Sequence, residues 1–435
     1  MDIPSILFLQ PNRVWRTYPG GKKLDIMEGK ENPEDAHFPE DWIGSTTRAV
    51  NKGREHLTEE GISKVTVDGE TLTLKALCEQ HPDAMLGAEH VEKYGANTQF
   101  LLKFLDSAIR LHIQCHPTIP FAQKYLNSNS GKTEAYVILG IRDEVAEPYI
   151  YMGFQHPPEE AEFKRMIEEQ DGEALLACFD KIPIKPGDVF MVPGGMPHAI
   201  GEGVFMIEIM EPTDFAVRIE FERGGYVLPE ESRFMNRGID FALSMFNYDP
   251  TPIDAIKKRF FCEPGLLDRQ NQSIESSLVD EKKTACFRVN RIDVRDRYVK
   301  DADSFYIGIV SKGSGTLVVG GDTWPVEEGE KFFVPYQSGP VASNPKAAWK
   351  SSPRFLPNDD QPGFFWFFRS LFFFFGSAGW LIGLPPWAFN DMRRPCIGAR
   401  RLDRAGSNET GQFGLRSLGG ANVFAALVEA EVEGA

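Results

Sequence analysis
The order of apolar and polar positions changes period several times along this chain. Residues 5–70 mix short strand-like apolar runs with loops. Between 71 and 110, Leu74, Leu77 and Cys78, and then Phe100, Leu101, Phe104 and Leu105, recur at three- to four-residue spacing and predict helices. Period two takes over at 111–116, and 135–139 is an unbroken apolar run suited to a buried strand. An acidic amphipathic stretch, 158–179, predicts a helix. Strands are expected again at 182–184, 189–192, 204–210 and 215–221.

A second block of β sequence runs from 285 to about 341, with 311–319 expected as a hairpin. Inside it, Gly329-Glu330-Lys331-Phe332-Phe333-Val334-Pro335 echoes Gly187-Asp188-Val189-Phe190-Met191-Val192-Pro193. Both are a glycine, five residues and a proline, with an aromatic-aliphatic run before the proline. The echo predicts two copies of one barrel. The first copy continues through Gly194-Gly195-Met196-Pro197 to His198, whereas the equivalent place in the second is Pro340. Only the first barrel is therefore expected to bear a metal.

Composition narrows the function. A chain of 435 residues can hold two or three domains, and its net charge of −16 argues against nucleic-acid binding. An anionic substrate would need local cations. Six cysteines, at 78, 115, 178, 262, 286 and 396, form no CxxC pair and read as thiols of a reducing compartment. No basic segment followed by an apolar run opens the chain, so the cytoplasm is the expected location.

The candidate chemistry gathers in the first barrel. Strand alternation puts His112, Gln114 and His116 on one face, and Lys132 and Glu134 on another. Taken singly, Gln-x-His is commonly a hydrogen-bonded edge and Lys-x-Glu a solvated face. With His198 they make an N/O set of an amide, two imidazoles and a carboxylate that can hold a divalent metal and bind an oxygenated substrate.

Pro193-Gly194-Gly195-Met196-Pro197-His198 resembles the second cupin motif. Gln114-Cys115-His116-Pro117, Gly131-Lys132-Thr133-Glu134 and Thr213-Asp214-Phe215-Ala216-Val217-Arg218 resemble motifs of the type I mannose-6-phosphate isomerases. The likeness runs in one order over roughly residues 8–345, from Pro11-Asn12-Arg13-Val14-Trp15 onward. It implies a mainly β, double cupin fold of two jelly-roll barrels with added helices. It also implies a metal site in the first barrel only, with one Zn2+ per chain held by Gln114, His116, Glu134 and His198. The implied reaction interconverts mannose 6-phosphate and fructose 6-phosphate, a step of carbohydrate metabolism toward GDP-mannose.

By the same resemblance Arg218 and Lys132 are catalytic or grip phosphate, although Arg218 with Asp214 also reads as a surface ion pair. Glu208, among apolar neighbours, is the candidate base and reads equally as a structural carboxylate. The family usually carries a small hydroxyl residue where this chain has His112; either the imidazole donates to the phosphate in its place, or the substrate differs. Two other readings stay open: a cupin metal-dependent oxygenase and a non-catalytic sugar-binding cupin. The expected partner is a small sugar phosphate, with no nucleic acid and with a monomer possible.

The expected domains are a catalytic barrel at 1–240, a degenerate barrel at 241–345 and an anomalous tail at 346–435. The tail carries ten Lys+Arg against eight Asp+Glu and 12 of the 33 Phe, which leaves −18 on residues 1–345. Residues 370–389 are about long enough to span a bilayer, but glycines and the Pro385-Pro386 pair weaken a helix there. Its readings are a membrane segment, a bound appendage, or non-native sequence that leaves the second barrel without closing strands.

Overall fold
The computed structural model describes residues 2–300, 304–338, 341–345 and 365–369, the last two segments as backbone. The remainder of the tail, and Pro340, lie outside the described residues. Among the described residues no helix is long and apolar enough to cross a membrane.

Two sheet sandwiches follow one another along the chain. In the first, one sheet orders Val189–Val192, Glu134–Ile141, Val204–Met210, Leu101–Asp106, Glu40–Ile43 and Arg13–Val14. The opposing sheet orders Ile182–Pro183, Tyr149–Met152, His198–Ile200, Gln114–Cys115 and Val217–Arg218. In the second sandwich, Leu7–Phe8, Lys331–Val334, Tyr306–Val310, Phe365–Arg369, Arg288–Asp293, Ser273–Val279 and Gly265–Gln270 form one sheet. Tyr298–Lys300, Val341–Pro345, Ser314–Val319 and Asp322–Glu327 form the other. This is the mainly β double cupin.

The internal echo is reproduced in the backbone. Gly187 and Gly329 both take φ of +92°, a region that favours glycine, and each begins the turn into its strand. Gly187 N–H donates to Ile138 O at 2.8 Å and Gly329 N–H to Val310 O at 2.7 Å. The sequence similarity is thus one turn and one strand start, built twice.

Several expectations are corrected. Phe100, Leu101, Phe104 and Leu105 do not form a helix; Leu101–Asp106 is an inner strand paired on both sides, with all six residues buried. Burial on both faces erases the polar alternation that would have marked a strand. The helix expected on Leu74, Leu77 and Cys78 is present as Leu74–Gln80 with those three residues buried, and Pro82–Leu86 and Ala88–Tyr94 follow it. The stretch 311–319 is not a hairpin: Tyr306–Val310 and Ser314–Val319 belong to different sheets, and the hairpin closes at Gly320-Gly321 between Ser314–Val319 and Asp322–Glu327. Paired sequence also starts earlier than 285, at Gly265.

The 158–179 helix exists as Glu160–Glu169 and Gly172–Ala177. Phe163 and Ile167, one turn apart, face the core, where Phe163 meets Phe154 and Phe246 edge-on at 5.3 Å.

The barrels are joined by more than their linker. Leu7 pairs with Phe333, and Lys331 forms a buried ion pair with Asp41. Asn247 N–H, Thr251 N–H and Cys262 N–H donate to Gly195 O, Phe154 O and Val189 O, so the chain stays hydrogen-bonded to the first barrel well past residue 240. The backbone of Phe365–Arg369, part of the anomalous tail, pairs between Arg288–Asp293 and Tyr306–Val310.

One position tests the second core. Gly308 stands opposite Phe332, and a Cβ there would lie 2.0 Å from the buried ring. Gly308→Ala is expected to destabilise the protein by about 1–3 kcal/mol, the usual cost of overpacking. Urea unfolding followed by fluorescence checks it, and an unchanged midpoint would refute it.

Candidate active site
Three strands of the smaller sheet place three of the expected residues side by side. Gln114 pairs with His198 on one flank and with Arg218 on the other. The larger sheet supplies Glu134, then Tyr136, which pairs with Glu208, which in turn pairs with Lys103. The two rows face each other across the interior of the first barrel.

His116, Glu134 and His198 are all buried, and their ligand atoms lie within 4.8 Å of one another. His116 Nε2 is 3.1 Å from Glu134 Oε1 and His198 Nε2 is 3.4 Å from Glu134 Oε2. The other ring nitrogens are anchored: His116 Nδ1 donates to Phe215 O at 2.8 Å and His198 Nδ1 to Met196 O at 2.9 Å. Carbonyls only accept, so each Nδ1 carries the proton and each Nε2 turns a lone pair inward, as in a metal site with carbonyl-oriented histidines. Burial pushes the His116 pKa down to about 3, so its ring is neutral as a ligand must be.

The side-chain amide of Gln114 lies 3.3 Å from His198 Nε2. An amide can turn its oxygen to that point as readily as its nitrogen. Lys132 Nζ already sits among the acceptors, 2.8 Å from Glu134 Oε1 and 3.1 Å from His116 Nε2. An ammonium held by a carboxylate and an imidazole lone pair stands where positive charge is favoured. The donor set therefore fits one divalent cation of the zinc type. Burial alone would raise Glu134, but the Lys132 ammonium beside it holds its pKa well below the usual range.

The Pro193–His198 turn is set by close backbone approach. Gly195 N–H donates to His116 O at 2.7 Å, and a Cβ on Gly194 would fall 2.6 Å from Pro117 O. The glycines let the turn lie directly against the His116-Pro117 segment, bringing His198 to His116.

Next to these ligands opens a cavity of about 740 Å³, counting its open mouth; Lys132, Gln114, His112, Glu208 and Arg218 are in its wall. Burial pushes Glu208 up to about 8, against the pull of Lys103, whose Nζ is 3.1 Å away. Burial, and then the charge of Arg218, push His112 down to about 3.

Sequence reasoning missed a buried charge network that frames the cavity. Glu40 accepts from Tyr18 at 2.5 Å and from Trp42 Nε1 at 2.7 Å, and it lies 3.3 Å from Arg16 and 3.4 Å from Lys103. Lys103 was detectable as the lone charge inside the apolar run 100–105. Arg16 holds Asp214 through two bonds of 2.9 and 3.1 Å. Asp214 and Arg218 are thus not the surface pair considered above, because Asp214 is taken by Arg16. Arg218 makes no hydrogen bond or ion pair with a described residue, and burial and the charge of Arg16 lower its pKa.

No family model matches this chain. Mannose-6-phosphate isomerase ManA of Bacillus subtilis is 26% identical over 248 residues, covering 56% of this chain and 71% of the relative. Mannose-6-phosphate isomerase of Streptococcus mutans is 36% identical over 143 residues, which span 32% of this chain and only 43% of that relative. A zinc-bound mannose 6-phosphate isomerase structure superposes with a TM-score of 0.58 at 17% identity, covering 78% of this chain and 97% of that one. In sequence the chain is similar to mannose-6-phosphate isomerases, as its motifs implied, and the superposition shows a shared fold.

Proposed function
We propose that the chain is a zinc-dependent aldose–ketose isomerase that interconverts mannose 6-phosphate and fructose 6-phosphate. The observation that carries this reading is the meeting of two features at the wall of one cavity. An inward-facing set of two imidazoles, a carboxylate and an amide reaches the cavity wall at Gln114, and the Arg218 guanidinium in that wall has no hydrogen-bond or ion-pair partner among the described residues. The first suits sugar oxygens at a metal, and the second suits a phosphate or a developing oxyanion. The relatives' names agree with that chemistry.

Gln114, His116, Glu134 and His198 would hold the zinc ion, which when bound supplies a Lewis acid for the carbonyl and hydroxyl oxygens at C1 and C2. The chain's own groups then move the proton. Glu208, with its pKa raised to about 8, takes a proton from C2 of the open-chain aldose and returns it to C1, while the proton of the C2 hydroxyl passes to the C1 oxygen, so that the carbonyl moves from C1 to C2. The intermediate is an enediol, and no external oxidant or reductant is needed. Lys132 Nζ, adjacent to Glu134, places positive charge beside the oxygens that become negative. Arg218 neutralises the enediolate or grips the phosphate.

Zinc-loaded protein is expected to convert mannose 6-phosphate to fructose 6-phosphate and, in D2O, to place deuterium on the transferred position. Glu208→Gln should lower kcat by about 10²-fold or more, the usual contribution of a general base, with zinc content unchanged. Absence of turnover by the wild type would sink the isomerase reading. Full activity of the glutamine variant would remove Glu208 from its role.

A further inference from the structure
Lys132 stands in the cavity wall on a segment, 131–133, that belongs to no helix or strand. No ladder holds its backbone, yet the residue is buried and its Nζ is fixed beside Glu134. What holds the segment is one carboxylate. Glu211 Oε1 accepts from Gly131 N–H and Glu211 Oε2 from Thr133 N–H, both at 2.9 Å. Between them, Lys132 N–H donates to Pro117 O at 2.9 Å. Three consecutive N–H groups are thus satisfied, and Glu211 takes the two that flank Lys132. The Thr213 hydroxyl, two residues beyond Glu211, donates to Gly131 O at 2.6 Å.

Glu211 is 3% exposed, lies outside the cavity wall and forms no ion pair with a described residue. A buried carboxyl group without a counter-cation is costly unless its oxygens are hydrogen-bonded. The amides of 131 and 133 meet that need. Burial pushes its pKa up, but both oxygens can accept in either protonation state, so the clamp does not depend on its charge. Its effect falls on Lys132 rather than on Glu134. Glu134 begins the strand Glu134–Ile141 and pairs there with Val192 and Met210, which keep it in place without the clamp. Lys132 precedes that strand by two residues and has no such ladder.

We propose that Glu211 is a positioning residue that fixes Lys132 against the metal ligands by clamping the two amides that flank it. The proposal rests on the isomerase reading for what Lys132 does once placed.

The test makes Glu211→Gln, whose one amide oxygen can accept a single N–H while its NH2 opposes the other. Glu211→Asp, one methylene shorter, is the second variant and should behave alike. Hydrogen exchange and kinetics are read in a double-mutant cycle with Lys132→Met. In Glu211→Gln the amides of 131–133 should exchange about 10-fold faster or more, while those of 135–138 stay as protected as in the wild type. Its kcat should fall about 10- to 100-fold with Lys132 present, and by less than about 2-fold in the Lys132→Met background, where no ammonium is left to misplace. Zinc affinity of Glu211→Gln, measured against a competing chelator, should stay within about 3-fold of wild type, because the strand still holds Glu134. A merely structural role would give equal losses in both backgrounds. Equal losses therefore overturn the proposal, as do unchanged exchange at 131–133, an unchanged kcat, loss of zinc, or a Lys132→Met enzyme as active as the wild type. Failure of both Glu211 variants to fold overturns it too, because the residue would then be structural. Wild type that does not isomerise refutes the isomerase reading alone. Faster exchange confined to 131–133 then upholds the clamp, and unchanged exchange overturns it.

Discussion

Glu134→Gln is expected to strip the protein of zinc and to abolish isomerisation, lowering kcat by about 10³-fold or more. The magnitude follows from the several kcal/mol of transition-state charge stabilisation that a bound metal supplies, at about 1.4 kcal/mol per tenfold. Glutamine keeps the shape of the side chain and removes its charge. The shape matters, because Glu134 is fully buried and meets His116, Lys132, His198 and Tyr136 at once. The charge matters more, because it is the only anion among the four proposed ligands, the others being neutral. Its loss also leaves the buried ammonium of Lys132 facing an uncharged amide, so a lower melting temperature is expected with the lost metal. Three measurements separate these effects. Metal analysis should fall from about one zinc per chain toward none. Added zinc should raise the melting temperature of the wild type and not that of the variant, since a ligand stabilises only the state that binds it. Chelated wild type should be inactive and regain activity with zinc. A variant that keeps stoichiometric zinc would remove Glu134 from the ligand set, and active chelated wild type would remove the metal from the reaction.

The parts of this site legible in the sequence are those whose chemistry is local. His198 was marked by a turn whose Gly194 lies against Pro117 and whose Gly195 donates to His116 O, so the glycines of the motif and the geometry are one constraint. The internal echo was legible for the same reason, because two glycines at one positive φ begin two like strands. What was hidden depends on residues far apart in the chain. Nothing near Arg16 announces that it holds Asp214, 198 positions away, and without that pair Arg218 could not be seen to lack a side-chain partner among the described residues. The ring of His112 is anchored by a carbonyl 108 positions on. The strand Leu101–Asp106 was misread because it is buried on both faces, where helix and strand periods become indistinguishable and length is the better guide. Its one cation, Lys103, was the discordant residue, and it belongs to the cavity.

Arg218→Ala is expected to lower kcat/KM by about 10²–10³-fold while leaving zinc content and the melting temperature close to those of the wild type. The reasoning turns on what the guanidinium does not do. Arg16 is committed to Asp214 and Glu40, Lys103 to Glu208 and Glu40, and Lys132 to Glu134, so each of these cations already has a carboxylate. Arg218 makes no hydrogen bond or ion pair with a described residue, and burial together with the charge of Arg16 disfavours its charged form. A cation kept in such a place at a cost to the free protein is one whose partner arrives with the substrate. Truncating it removes no native ion pair, which is why stability should hold or rise slightly. Losing a desolvated charge contact to substrate typically costs about 2–5 kcal/mol, which brackets the expected loss. Arg218→Lys should recover only part of it, because an ammonium cannot reproduce the two-pronged contact of a guanidinium with a planar or phosphate anion. The division between KM and kcat then locates the contact: a rise in KM with kcat kept means the phosphate of the ground state, and a fall in kcat with KM kept means the enediolate. Loss of zinc or a collapse of the melting temperature in Arg218→Ala would instead make the arginine a structural element of the barrel.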